Sequence, residues 1–107
     1  MYNWRIKQLL ELHEQDPEDD FVLFAIAQEY HKVDDLDKSV EMFEKLRLKN
    51  PQYIGLYYHL AAVYQKLEEP AKAENIYKIG IALAQELSEH HALAELKNAY
   101  TNHQLEL

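Results

Sequence analysis

Two stretches decide the fold: Leu23-Phe24-Ala25-Ile26-Ala27-Gln28-Glu29-Tyr30 and Tyr57-Tyr58-His59-Leu60-Ala61-Ala62-Val63-Tyr64. They lie 34 residues apart, and at that offset Ala27/Ala61, Tyr30/Tyr64, Lys32/Lys66 and Lys38/Lys72 are identical. Ile26/Leu60, Val33/Leu67 and Phe43/Tyr77 are similar pairs at the same step. Self-similarity at a period of about 20 to 50 residues marks an array of like structural units. Inside each stretch the apolar residues recur at three and four positions, which is the helical period. The alanine is small enough for a second helix to cross closely over it. The aromatic residue one turn later fills the gap left beside it.

Working outward, Asp16-Pro17, Asn50-Pro51 and Glu69-Pro70 each set proline behind a polar residue. They read as helix starts, because proline's missing N–H falls among the groups left unpaired in a first turn. Asp35 and Ser88 read as N-caps. These marks predict six helices, over about 3–15, 19–33, 36–49, 52–67, 70–87 and 89–105. All linkers are short, so neighbouring helices run antiparallel. The first helix sets Ile6, Leu9, Leu10, Leu12 and His13 along one face. The last sets Leu93, Leu96 and Tyr100 there, with Ala92 and Ala99 beside them.

The 107 residues suffice for one domain and are 48% apolar, which favours a folded chain over a disordered one. The absence of cysteine excludes disulfides, thiolate metal sites and cysteine nucleophiles. Two glycines and three prolines are too few for a protein of many hairpin strands. The net charge of −8 repels a phosphate backbone, so nucleic acid is not the expected partner. Protonation of the six histidines would weaken that repulsion. A neutral or basic partner fits better. The N-terminal Met1-Tyr2-Asn3-Trp4-Arg5-Ile6-Lys7 does not read as a signal peptide, and the longest apolar run, Ile79 to Ala84, is too short to cross a bilayer. No membrane role is expected, and the cytoplasm is the expected location.

The markers resemble the tetratricopeptide repeat, whose pattern runs W-x2-L-G-x2-Y, then A-x3-F, then P. The first copy reads Leu23-x2-Ile26-Ala27-x2-Tyr30, Ser39-x3-Phe43 and Pro51. The second reads Tyr57-x2-Leu60-Ala61-x2-Tyr64 and Ala73-x3-Tyr77. The resemblance implies an all-α fold: antiparallel helical hairpins stacked as a short right-handed solenoid of about six helices. It divides a single domain, 1–107, into an N-terminal partial repeat helix (1–15), repeat 1 (20–53), repeat 2 (54–87) and a C-terminal capping helix (88–107). One period back, Pro51, Phe43 and Leu46 land on Pro17, Leu9 and Leu12, so the first helix resembles the second half of a repeat. Arg5 is a poor match for the small Ser39. The last helix fits only with a two-residue slip, which puts Lys97 at the small site. Gln85 stands where the second copy would end in proline, so the fifth helix is expected to overrun, and Gly80 replaces the large Leu46.

In this family the first helix of each hairpin lines a concave face that binds protein segments. The resemblance assigns Phe21, Phe24, Gln28, His31 and Lys32 to that face in the first copy, and Gly55, Tyr58, Ala62, Gln65 and Lys66 in the second. The aromatic members offer contact area at low entropy cost, and Gln28 and Gln65 can hydrogen-bond a peptide backbone. The competing reading packs Phe21 and Phe24 against a terminal helix. Members that bind chaperone tails hold the terminal carboxylate in a Lys/Asn/Lys/Arg clamp. Phe24, Gln28 and His59 stand at the first Lys site and the two Asn sites, so that clamp is absent and such a ligand is disfavoured.

Other chemistry is weak. His90 and His91 point about 100° apart on a helix, and His91 with Glu95 makes only two metal ligands. His31 and His59 could approach across neighbouring helices. Glu18-Asp19-Asp20, Asp34-Asp35 and Glu68-Glu69 sit at helix starts and turns, where they cap and solubilise. Lys38 and Lys72 are expected to face solvent. There is no phosphate loop, nucleophile elbow or H-E-x-x-H motif. The expectation is an adaptor with no catalysis, no cofactor and no metal. A symmetric homodimer, with the concave face filled by a second copy, is the alternative.

Overall fold

The computed structural model describes residues 3–106; Met1, Tyr2 and Leu107, at the ends of the expected 1–107 domain, lie outside the described residues. Six helices form, with no strand among the described residues: α1 (Trp4–Gln15), α2 (Asp20–Lys32), α3 (Leu36–Lys49), α4 (Gly55–Lys66), α5 (Pro70–Glu86) and α6 (His90–Glu106). The chain divides into two compact units that meet in sequence at Pro51/Gln52.

In the first unit α1 and α3 both pack on α2. Leu23, Ile26, Ala27, Ser39, Phe43 and Leu46 are fully buried. The small positions meet as the repeat requires, and the Ser39 hydroxyl donates to the Ala27 carbonyl at 2.8 Å. A cluster of Leu9, Val22, Ala25 and Ile26, flanked by Tyr30 and Met42, joins α1 to the hairpin. Arg5, the poor match for a small residue, stays exposed and reaches the buried Glu29 carboxylate at 3.5 Å, which also pairs with Lys32 at 2.9 Å. At the other end, Asp20 accepts from Asn50 and pairs with Lys49 at 2.9 Å, tying the start of α2 to the end of α3. The Lys49 hydrogen bond, aided by that of Asn50, holds the Asp20 carboxyl below the usual carboxylate range.

The second unit builds the same hairpin from α4 and α5, with Tyr57, Leu60, Ala61, Tyr64, Ala73 and Tyr77 buried; α6 packs on both helices. Gly80 has a local cause. A Cβ there would lie 2.7 Å from the Tyr57 Cβ and 3.2 Å from Leu96 Cδ1, so only glycine admits both neighbours. As the missing proline predicts, α5 overruns to 17 residues against 14 in α3.

The helix ends repeat at the same period. Tyr30–Asp35 and Tyr64–Glu69 close with matching bonds: the Asp35 and Glu69 N–H groups donate to the Tyr30 and Tyr64 carbonyls, each at 2.9 Å. Asp34 and Glu68 take the left-handed conformation (φ 63° and 58°) that glycine usually fills in this C-terminal motif. A third copy, Ala84–Glu89, ends the overrun α5 with Ser88 at φ 56°.

Some local expectations need correction. Only Pro70 begins a helix. Pro17 and Pro51 instead follow the C-caps Asp16 and Asn50, whose φ values of −142° and −141° are alike; after such a cap, a residue without an N–H stops the helix rather than starting the next. For the same reason α4 begins at Gly55, after Pro51-Gln52 has been spent in a turn. Ser88 is a turn residue and not the cap of α6. The caps that do form include Asn3, Asp19 and Asp35, each accepting from N–H groups in the first turn. On α1 the buried face is Ile6, Leu9 and half-buried His13, with Leu10 and Leu12 exposed, because within its unit α1 packs on α2 and not on α3.

Candidate functional site

In the second unit α4 and α6 wall a cavity of about 260 Å³. Tyr58, Ala62 and Gln65 recur at four and three positions along α4 and so share one face, which the cavity collects. Tyr77 of α5 lies at its floor. Along α6, Glu95, Asn98, Asn102 and Glu106 recur at three and four positions and form the opposite wall, with Ala99 and His103 between them and the floor.

The polar groups are held in place. The Tyr77 hydroxyl donates to Gln65 Oε1 at 2.5 Å, which orients the amide and leaves its NH2 for a second acceptor. Burial, then the neighbouring Tyr58 and Glu106, push the Tyr77 hydroxyl up to about 12, so it remains a neutral donor at physiological pH. His103 is buried with its ring 5.8 Å from that of Tyr77 and Nε2 3.3 Å from the Pro70 carbonyl. Tyr100 donates to Glu74 at 3.2 Å, and Glu74 pairs with Lys78 at 3.0 Å. The Lys78 and Tyr100 bonds hold the Glu74 carboxyl below its ordinary value. These contacts fix the α6 wall to α5. The cavity offers amide donors and acceptors, an aromatic edge and two carboxylates.

Of the residues assigned to the concave face, Tyr58, Ala62 and Gln65 come together here, whereas Lys66 is exposed and does not line the cavity. Gly55 is half-buried at the start of α4. In the first unit Phe21 is 66% exposed, and Phe24 is half-buried with its ring edge-on to Phe43 at 6.0 Å, a contact within the hairpin. Gln28 and His31 are half-buried, and Lys32 is engaged by Glu29. The sequence reading missed the whole α6 wall. Its signal was a second stripe of polar and small residues, Glu95-Asn98-Ala99-Asn102-Glu106, beside the apolar one. It missed buried His103 too, which continues the Leu96–Tyr100 spacing by three.

Lys38 and Lys72 are exposed, yet they do more than face solvent. Their ammonium groups lie 5.5 and 5.8 Å from the ring centres of Tyr30 and Tyr64 and pair with Asp35 and Glu69. All three members of each group recur at 34, so the identical lysines are part of the repeat itself. His91 and Glu95 are 3.7 Å apart, and no group of three metal-ligating side chains occurs among the described residues.

The family model for the tetratricopeptide repeat matches residues 22–46 and 54–87, more than half of the chain. The chain belongs to the tetratricopeptide-repeat family. A tetratricopeptide-repeat domain protein from Salinibacter ruber, solved by NMR, is 38% identical and superimposes with a TM-score of 0.77, covering 82% of this chain and 89% of that one. The complex of the TPR2B domain of yeast Sti1 with pHsp70 superimposes at 0.88 with 18% identity, over 95% of this chain and 82% of the other. A protein from Bordetella parapertussis gives 0.85 at 18% identity, over 99% and 91%. The last two show the shared all-α repeat fold. Among curated proteins none matches. Tetratricopeptide-repeat proteins are in general non-enzymatic protein-interaction modules.

Proposed function

We propose that this tetratricopeptide-repeat protein is an adaptor that binds a short extended segment of a neutral or basic protein partner, and that the face lined by the first helix of each hairpin receives it. The observation that carries this reading is the α4–α6 cavity, where Tyr58 and Gln65 face the amides of Asn98 and Asn102. Amides on both walls suit a peptide backbone, which presents donors and acceptors alternately. Glu95 and Glu106 favour a cationic side chain beside it. The fold's capacity for protein partners is illustrated by the Sti1 domain in its complex with pHsp70. No helix among the described residues is long and apolar enough to cross a membrane, and the cytoplasm is the proposed setting.

With one walled cavity the affinity is modest, on the order of micromolar. The test is calorimetric titration of a display-selected peptide into the wild type and into a Phe24→Ala plus Tyr58→Ala variant. A loss of about tenfold or more is expected, the size of one interface anchor. Unchanged affinity in a folded variant would refute the assignment.

A further inference from the structure

We propose that α1 is a self-association surface whose occupant is the α1 helix of a second copy, laid antiparallel across a two-fold axis. The surface lies in the first unit and is independent of the peptide cavity. Within its unit α1 packs on α2, and a cleft of about 460 Å³ runs along α1 beside Ile6, Leu10 and half-buried His13. Leu10 is 40% exposed there.

Asn3, Lys7, Leu10 and Glu14 are spaced by four, three and four, so they form one straight seam along the helix. That spacing is the one with which two helices meet lengthwise. The seam's charges choose the occupant. Lys7 lies in its N-terminal half, and Glu14 in its C-terminal half with Glu11 alongside. Lys7 and Glu14 are equidistant from the point between Leu10 and Glu11. An antiparallel copy therefore sets each Lys7 against the other copy's Glu14, with Leu10 and Glu11 of both copies beside the axis. A parallel copy would set lysine on lysine and glutamate on glutamate, which is repulsive. Such self-complementarity is what a two-fold interface requires. Two chains of net charge −8 repel each other, and the two Glu11 carboxylates beside the axis add to this, so the two Lys7–Glu14 pairs and the Leu10 contact must supply the attraction.

Trp4, the sole tryptophan, is exposed on the same helix with the Lys7 ammonium 5.7 Å from its ring centre, and it reports on the surface directly. The test is sedimentation equilibrium of the full chain at physiological ionic strength, from about 10 μM to about 1 mM, a range that brackets a weak single-helix contact. The weight-average mass should rise from 12.7 kDa toward twice that value, with a parallel change in Trp4 fluorescence. Leu10→Arg should leave a folded monomer at every concentration. Lys7→Glu and Glu14→Lys should each weaken association by about tenfold, and the double exchange should restore it. A monomer throughout would overturn the proposal. So would a dimer indifferent to Leu10→Arg, or a double exchange no better than either single one. Peptide affinity at the α4–α6 cavity should be unchanged in Leu10→Arg, which separates this surface from the proposed binding face.

Discussion

The α2–α3 and α4–α5 hairpins share their register over 34 residues but fill one crossing with opposite volumes. The first places Leu23 and Leu46 at equivalent positions where the second places Tyr57 and Gly80. Leu23 and Leu46 are fully buried, and Tyr57 is buried with its Cβ against the Gly80 position. The tyrosine–glycine pair is the smaller of the two, and Leu96 of α6 closes on the Gly80 position from the other side. The hairpins also differ in their third helix. α1 precedes its hairpin and packs on the first helix alone, whereas α6 follows and packs on both helices of its own. Of these two arrangements, the second gives the walled cavity between α4 and α6.

The sharpest way to break this comparison is to exchange the volumes. Leu46→Gly should destabilise by about 4 to 6 kcal/mol, combining a buried cavity with the cost of glycine in a helix. Gly80→Leu should cost about 3 kcal/mol or more through overlap with Tyr57. Chemical denaturation of Gly80→Leu with Tyr57→Leu should recover little of that loss, because the nearest atoms are the Cβ and Cγ of residue 57, which leucine keeps, and Leu96 Cδ1. If the double variant recovered most of the lost stability, the close approach to the residue 57 Cβ would not be what requires glycine at 80.

Ala27→Leu and Ala61→Leu test what the hairpins have in common. Each should cost about 1 to 3 kcal/mol, since the crossing is closed over both alanines. A marked inequality between them would show that the two crossings differ in more than the swapped pair.

The ionisable groups separate the units by pH. Tyr77 in the second unit has a folded-state value raised to about 12 against an ordinary 10, so the folded chain holds this proton more tightly than the unfolded one. Its contribution is complete below pH 10 and is lost as pH rises from 10 to 12. Asp20 in the first unit is lowered, so its contribution is present above the ordinary carboxylate range and lost as pH falls through and below it. Tyr77→Phe should flatten the alkaline limb of a stability–pH curve and leave Asp20's part of the acid limb in place. Smallest of all, Lys38→Ala and Lys72→Ala should each cost about 0.5 to 1 kcal/mol through loss of the tyrosine contact, and by equal amounts.

Much of this was readable in the residues. Ala27, Ala61 and their aromatic partners gave the hairpins because a helical period and a fixed 34-residue step are properties of the chain itself. Gln85 for proline announced the longer α5. The prolines misled, since Asp16-Pro17 and Asn50-Pro51 look the same whether they end one helix or begin the next. Only the backbone bonds of Asp16 and Asn50 to the preceding turn distinguish the two. The cavity was half readable. Tyr58, Ala62 and Gln65 followed from the repeat, but α6 lies outside the strict register, so nothing in the spacing told that Asn98 and Asn102 would face them. Gly80 looked like a departure until Tyr57 and Leu96 were seen on either side of it.

The central claim is that the face walled by α4 and α6 receives a partner segment. Its most direct test is chemical-shift mapping of the ¹⁵N-labelled chain during titration with a display-selected peptide. The account predicts saturable shifts at Tyr58, Gln65, Asn98 and Asn102 that vanish in a Tyr58→Ala plus Asn102→Ala variant retaining its fold. Saturable binding with shifts confined to other surfaces, or untouched by those two substitutions, would contradict it.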